Sequence, residues 1–255
     1  MSILRSPRSL EGYFKTNPVS SVMIVLISTV FVMQLFFSTF TSTRLEHLGA
    51  IHFYSVYFNN EWYRLVTAIF LHGDFIHYLF NTLFGIYILG AALERLIGSR
   101  KYLITLIVSG LGASLVVFLY DFYLFSVAQR EGIFPPLPLT LGASGAIFGA
   151  MGYLFYLTIV KPEWFTLQDI SSIRAIMFLN IIFSFFGNIS TSGHLGGLAF
   201  GLLTAFLLTR FSPYKGKRKG FEDPFNPYAQ ESWRIEDLDE IEILDDDDDD
   251  DRRVW

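Results

Sequence analysis

Four polar side chains interrupt long apolar stretches of this sequence, and their types suit nucleophilic and acid–base chemistry. Ser144 stands between glycines in the apolar run 139–152, and His194 follows a glycine at the start of another run. His77 and Asn81 are four residues apart, so a helix places them on one face. Acyl transfer needs a nucleophile, a base that takes its proton, and donors directed at the developing oxyanion. These four residues supply those types.

These four residues belong to a chain that is too apolar for an ordinary soluble domain. Of its 255 residues, 52% are hydrophobic and 17% are charged, and the mean hydropathy is +0.42; about a quarter of the residues in a soluble domain are charged. Apolar runs near the ~20 residues that cross a bilayer predict six spans. They lie at 22–40, 76–97, 102–120, 139–160, 173–186 and 194–211. We therefore predict an all-α polytopic membrane protein.

Basic residues near the span ends predict the orientation. Threaded through six spans, one side receives the following residues: Arg5, Arg8, Lys15, Arg95, Arg100, Lys101, Lys161, Arg174, Arg210, Lys215, Lys217, Arg218 and Lys219. The other side receives Arg44, Arg64 and Arg130, which acidic neighbours dilute. The positive-inside rule then places both termini in the cytosol. On this threading the four polar residues share one depth, toward the non-cytosolic face.

Glycines accompany the serine and the histidine at helical spacing. The stripes are Gly145, Gly149 and Gly152 in the fourth predicted span, and Gly197 and Gly201 in the sixth. Small-residue stripes let helix backbones approach closely in a membrane. We predict that these two spans meet along the stripes, which brings His194 close enough to reach Ser144.

Each polar residue also has an explanation without catalysis. A serine in a membrane helix commonly bonds back to its own backbone or packs against a neighbour. An intramembrane histidine also serves in proton relays, metal sites and pores. A transporter or channel, however, predicts polar residues at several depths, whereas these cluster at one. Spans four and six contain no Asp or Glu, so a serine and a histidine would have to act as a dyad.

These motifs resemble those of the rhomboid intramembrane serine proteases. The matching segments are GASG at 142–145, GHLGG at 193–197, HYLFN at 77–81 and ERLIG at 94–98. They correspond to the family's G-x-S-G, its sixth-helix histidine, its H-x-x-x-N and its E-x-x-x-G. The resemblance covers about residues 62–201. One departure lies in the first loop, where the family often has adjacent Trp and Arg but Trp62 and Arg64 are separated here.

The resemblance implies a six-transmembrane-helix rhomboid-like bundle with a first loop at the membrane edge. It implies Ser144 as nucleophile and His194 as general base, with an oxyanion hole formed by His77, Asn81 and the Ser144 amide. The implied substrates are themselves transmembrane proteins. The competing hypothesis is a non-catalytic relative that binds or escorts membrane helices, for which loss of the serine or histidine is the expected signature; neither is lost.

The first outer loop, 41–75, is unusually aromatic. Its rings are those of Phe53, Tyr54, Tyr57, Phe58, Trp62, Tyr63 and Phe70. Amphipathic rings settle at the membrane interface. We expect this loop to pack on the membrane surface or to dip partly into it.

The chain divides into a cytosolic N-terminal segment (1–18), a membrane domain (19–211) and an acidic tail (212–255). The tail's composition predicts a disordered cytosolic extension. Its aspartates at 245–251 alone carry more negative charge than the formal net charge of −5 for the whole chain. The net charge therefore gives no indication of a nucleic-acid partner, and we expect none. With no cysteine there is no thiolate nucleophile, and we expect no cofactor and no metal. The compact six-span form favours a bacterial cell membrane, with an organelle membrane as the alternative.

Overall fold

A computed structural model describes residues 9–41, 44–186 and 189–211, and these residues form helices and loops without a β-strand. One isolated antiparallel bridge joins Ile51 and Thr140. The helices are α1 (Leu10–Thr16), α2 (Pro18–Phe40), α3 (Leu45–Gly49), α4 (Phe53–Asn59), α5 (Arg64–Thr67), α6 (Phe75–Leu79), α7 (Ala91–Ile97), α8 (Ser99–Gln129), α9 (Ser144–Val160), α10 (Leu167–Phe183) and α11 (Thr191–Phe211). A π-helical segment, Phe80–Gly90, joins α6 to α7, and short 3-10 turns occur at Ala68–Phe70 and Pro162–Trp164. The predicted acidic tail and residues 1–8 lie outside the described residues.

Four of the described helices are long and apolar enough to cross a membrane: α2, the continuous stretch Phe75–Ile97, α8 and α11. The all-helical prediction is therefore confirmed. α9 and α10 have 17 residues each, or about 25 Å at 1.5 Å per residue, which is less than the ~30 Å hydrocarbon thickness of a bilayer.

The start of α2 is capped by a side chain from α7. The Glu94 carboxylate accepts hydrogen bonds from the backbone N–H groups of Val19 and Ser20, each at 2.9 Å, and from Ser20 Oγ at 2.8 Å. The first N–H groups of a helix have no intrahelical acceptor, and Pro18 is favoured at the first position. For both reasons α2 begins four residues before the predicted span at 22–40. Gly98, with φ of +82°, ends α7.

The predicted glycine contact between α9 and α11 is present in the structure. A Cβ on Gly197 would lie 2.0 Å from the Gly145 carbonyl oxygen, and one on Gly201 would lie 2.1 Å from that of Gly149. No real Cβ tolerates such distances, so the two backbones touch only because these residues are glycines. α8 packs against both helices, and α9 lies at the centre of the main hydrophobic core.

The first loop contains short helices, of which α4 and α5 pack against α8. Phe53 lies between the rings of Phe118 and Phe125, with centroid distances of 5.7 and 5.2 Å, and Tyr57 lies 5.6 Å from Phe122. This aromatic cluster covers α8 beyond residue 120, where the sequence predicted the third span to end. α8 therefore continues to Gln129.

Arg64 joins the parts of this loop. It is 5% exposed, donates to the carbonyl oxygens of His47 and Ala50 at 3.0 and 2.9 Å, and pairs with Glu61. The Arg64 guanidinium lowers the pKa of the Glu61 carboxyl below its usual value by hydrogen bonding to it. Trp62 packs edge-on against Phe118 at 5.2 Å. Although Trp62 and Arg64 are not adjacent in the sequence, Arg64 Nε and Nη1 both have acceptors within the loop.

α10 is the most peripheral of the long helices. A capping box fixes its start: Thr166 Oγ1 accepts from the Asp169 N–H at 3.1 Å, and the Asp169 carboxylate accepts from the Thr166 N–H at 3.3 Å. Its main helical neighbour is α9. Large apolar side chains along it are exposed, among them Phe178, Leu179 and Phe183.

Candidate active site

All four residues singled out from the sequence line one cavity. α6, α9 and α11 each begin at the same end of the bundle, and a cavity of about 2130 Å³ there is lined by His77, Asn81, Ser144 and His194. The apolar part of its wall comes from the π-helical segment on one side and from α10 on another, including Phe84 and Phe183. The structure thus brings together side chains that lie up to 117 positions apart in the chain.

Gly142 shapes the approach to the serine. Its φ is +123°, a conformation that side chains rarely adopt, and its N–H donates to the Ala68 carbonyl at 2.8 Å. A Cβ placed on it would lie 2.8 Å from His77 Nε2 and 3.8 Å from Ser144 Oγ. His77 and Ser144 therefore face the same small volume, and only a glycine leaves that volume open.

Ser144 is the first residue of α9. Its hydroxyl makes no hydrogen bond with another of the described protein groups, whereas Thr105 and Thr204 bond back to their own helices. The back-bonding explanation therefore does not hold for Ser144. Its N–H, in the first turn, has no intrahelical acceptor, and the helix dipole there favours negative charge.

A short network holds His77 and Asn81 in place. The Asp74 carboxylate caps α6 by accepting from the His77 N–H at 2.8 Å, and Asn81 Nδ2 donates to the His77 carbonyl at 2.8 Å. Thr82 Oγ1 likewise donates to the Tyr78 carbonyl oxygen. Both side chains thus bond carbonyl oxygens that accept from backbone N–H groups in an α-helix, and both lie at the start of the π-helical segment. The sequence alone assigned no role to Asp74.

His72 supports the same wall from the preceding loop. Its ring is fully buried and lies 5.1 Å from that of His77, edge to face. Burial lowers the pKa of the His72 imidazole from its ordinary value of 6.5 to about 4, so this ring is neutral at pH 7. Its backbone exchanges two hydrogen bonds with the Gln34 amide of α2, at 2.9 and 3.0 Å.

Two contacts fix the His194 imidazole, and sequence reasoning missed both. Phe148 stacks on the ring with centroids 4.0 Å apart and planes at 18°, and Ser184 Oγ lies 2.7 Å from Nδ1. Phe148 follows Ser144 by one helical turn, so its i+4 spacing was a usable signal. Ser184 carries no such signal, because only the turn between α10 and α11 brings it to the histidine.

The site holds no acid cluster for a metal: among residues 9–41, 44–186 and 189–211 there is no group of three or more His, Cys, Asp or Glu side chains placed to bind one. What the cavity offers is an unbonded hydroxyl, an oriented imidazole and amide donors. Those are the groups of a serine hydrolase.

Comparison with known proteins identifies the family. Residues 59–211 match the family model described as Rhomboid domain. Rhomboid protease GluP of Bacillus subtilis (strain 168) is 36% identical over 149 residues, which are 58% of this chain and 26% of GluP. The protein YdcA of the same organism is 28% identical over 202 residues, 78% of this chain and 92% of YdcA. Rhomboid protease AarA of Providencia stuartii is 26% identical over 197 residues, 71% of this chain and 69% of AarA.

The apolar helices and these relatives together define an all-helical integral membrane protein. The chain belongs to the rhomboid family. It spans about a quarter of GluP and most of YdcA, at 26% and 92% of their lengths.

Proposed function

We propose that this protein is an intramembrane serine endopeptidase that cleaves transmembrane segments of other membrane proteins. Ser144 is the nucleophile and His194 the general base of a dyad, and His77, Asn81 and the Ser144 amide form the oxyanion hole. The observation that carries this proposal is that an unbonded Ser144 hydroxyl shares one cavity with the other three side chains. Two relatives named rhomboid protease, GluP and AarA, support it.

The chemistry follows from these groups. Ser144 Oγ bonds to the scissile carbonyl carbon while His194 Nε2 takes the hydroxyl proton. The oxyanion accepts hydrogen bonds from His77, from the Asn81 N–H that is not bonded to the His77 carbonyl, and from the Ser144 N–H. His194 returns the proton to the leaving amine, and a water molecule then releases the acyl group by the same steps.

A transmembrane substrate must first unwind, because a helix keeps its carbonyl groups in its own hydrogen bonds. The cavity wall between the π-helical segment and α10 is apolar, which suits entry of such a segment from the lipid. Because α9 is only about 25 Å long, Ser144 lies below the membrane surface in a centrally placed helix. The cavity then serves as the path by which water reaches it.

The membrane arrangement is part of the proposal. Six segments cross the membrane in this proposal: α2, the stretch Phe75–Ile97, α8, α9, α10 and α11. The basic residues at their ends support an orientation with both termini in the cytosol and the site toward the outer face. The first loop lies at the membrane edge, and the membrane is a bacterial cell membrane.

A fluorophosphonate probe tests the nucleophile directly, because such probes form a covalent bond with an activated serine. The full chain, purified in detergent, should be labelled, and Ser144→Ala should lose both the label and cleavage of a model transmembrane substrate. Ser114→Ala is the matched control, since Ser114 is a buried hydroxyl in the wall of the same cavity; it should keep the label.

Undiminished cleavage by Ser144→Ala would contradict the proposal. A wild-type protein that binds membrane helices but neither takes up the label nor cleaves would instead favour the non-catalytic relative.

A further inference from the structure

The His194 imidazole has a hydrogen-bonding partner on the nitrogen that faces away from the proposed chemistry. Ser184 Oγ lies 2.7 Å from Nδ1, and Ser184 is only 2% exposed at the C-terminal cap of α10. Which atom donates depends on the histidine tautomer, and that tautomer decides whether Nε2 carries a lone pair. The surrounding hydrogen bonds resolve this question.

A serine hydroxyl has one proton to donate. Ser184 Oγ donates it to the Asn180 carbonyl oxygen at 2.8 Å, and a carbonyl oxygen only accepts. With that proton committed, Ser184 Oγ can bond to His194 only as an acceptor. His194 must therefore carry its proton on Nδ1, which leaves the Nε2 lone pair free.

We infer that Ser184 is a positioning residue for His194, one that holds the Nδ1–H tautomer so that Nε2 is ready to take the Ser144 proton. This inference rests on the proposed function for its catalytic consequence, although the tautomer itself does not depend on it. Ser184 does by a neutral hydroxyl what an aspartate does in a serine protease triad: it orients the ring and accepts from Nδ1–H.

Ser184 is itself fixed from two helices. Its hydroxyl bonds the Asn180 carbonyl of α10, and its own carbonyl accepts a short hydrogen bond from Thr191 Oγ1, on the first residue of α11. Phe148 of α9 stacks on the ring that Ser184 bonds. The imidazole thus has one permitted plane and one permitted tautomer.

The two consecutive hydrogen bonds, from His194 Nδ1–H to Ser184 Oγ and from Ser184 Oγ–H to the Asn180 carbonyl oxygen, also become stronger when His194 is positively charged. When His194 takes the Ser144 proton, the imidazolium strengthens its hydrogen bond to Ser184, and aligned hydrogen bonds polarise one another. Removing the hydroxyl should therefore affect the chemical step more than substrate binding.

The test compares Ser184→Ala with a matched control, Ser21→Ala. Ser21 is 6% exposed and donates to the carbonyl four residues back, that of Asn17, at 2.7 Å, as Ser184 does to Asn180. In the full chain with a model transmembrane substrate, Ser184→Ala should lower kcat about 10- to 100-fold with KM unchanged, as expected for loss of one hydrogen bond to a charged group. Ser184→Thr, which keeps a hydroxyl, should recover part of the loss, and Ser21→Ala should retain wild-type kcat.

A second measurement does not use activity. In ¹⁵N-histidine-labelled protein, the His194 signals, assigned by their loss in His194→Gln, should show a protonated Nδ1 and an unprotonated Nε2 in the wild type. Ser184→Ala should give a mixture of the two tautomers, and Ser21→Ala should not.

Several outcomes overturn the inference. They are a Ser184→Ala kcat equal to that of Ser21→Ala, a change confined to KM, or an Nε2–H tautomer in the wild type. If the wild type shows no Ser144-dependent turnover, the proposed function fails, and the tautomer measurement still decides whether Ser184 positions the ring.

Discussion

Two walls of the cavity are built by different physical means. α9 and α11, which carry Ser144 and His194, are in backbone contact at glycines where a Cβ would lie 2.0 and 2.1 Å from a carbonyl oxygen of the other helix. α10, another wall, packs Ile173 into the main hydrophobic core, and it also makes hydrogen bonds to its neighbours: two from Arg174 to Thr158 of α9 and one between Ser184 and His194 of α11.

The site has two requirements, the positions of Ser144 and His194 and the orientation of the imidazole, and different contacts meet each of them. Close-packed backbones fix where Ser144 and His194 stand, since such contacts have no room to adjust. Hydrogen bonds from a peripheral helix fix only how the imidazole is turned. The packed helix pair therefore sets the distance between the two groups, and Ser184 of α10, together with the Phe148 ring of α9, sets the orientation of the imidazole.

The largest effect should come from breaking the packed pair. Gly197→Val places a side chain where the Gly145 carbonyl oxygen lies, so the helices must separate. We expect the free energy of unfolding to fall by about 3 kcal/mol or more and cleavage to be lost. Thermal unfolding in detergent and the cleavage assay measure both.

Gly73→Ala is the control for that loss of stability, because its Cβ would meet nothing closer than Leu141 at 3.9 Å. It should unfold at about the wild-type temperature. A Gly197→Val protein with wild-type stability would show that the glycine contact does not hold the two helices together.

A third wall of the cavity, formed by α6 and its preceding loop, differs from the other two because it contains a buried neutral ring, that of His72. The pKa of His72 is about 4 when folded and 6.5 as the ordinary value, so the unfolded chain binds more protons between these pH values. The stability that this ring contributes is present above pH 6.5 and is lost as the pH falls toward 4. The loss amounts to at most about 3 kcal/mol.

The free energy of unfolding measured from pH 7 to pH 4 checks this expectation. His72→Phe keeps a ring of similar size but cannot take a proton, so its stability should fall less over the same range. Equal slopes in the wild type and the variant would show that His72 does not cause the acid sensitivity.

The smallest effect should come from weakening α10. Thr166→Ala removes one side of the capping box and should cost about 1 kcal/mol, confined to α10. Amide hydrogen exchange should become faster in α10 and stay unchanged in α9 and α11. Thr29→Ala, which removes an exposed hydroxyl bonded only to its own helix, is the control; faster exchange throughout the bundle in Thr166→Ala would mean that the two walls are not independent.

Much of this protein could be predicted from local sequence patterns. The lengths of apolar runs indicate membrane helices, the i+4 spacing places His77 with Asn81, and the glycine stripes predict the contact of α9 with α11. Each is a property of neighbouring residues on one helix, so no knowledge of the fold is needed. The catalytic roles of Ser144, His194, His77 and Asn81 stay a prediction until they are measured.

Only the tertiary structure decided how these groups are oriented. The continuation of α8 to Gln129 depends on rings from the first loop, the cap on α2 comes from Glu94 of α7, and the hydroxyl beside His194 Nδ1 comes from Ser184 of α10. A hydrogen bond or a ring contact needs atoms within a few ångströms. Partners that are far apart in the sequence follow no helical spacing, so the sequence pattern does not reveal such contacts. The sequence therefore determined which groups face the cavity, and the packing of distant helices determined their direction.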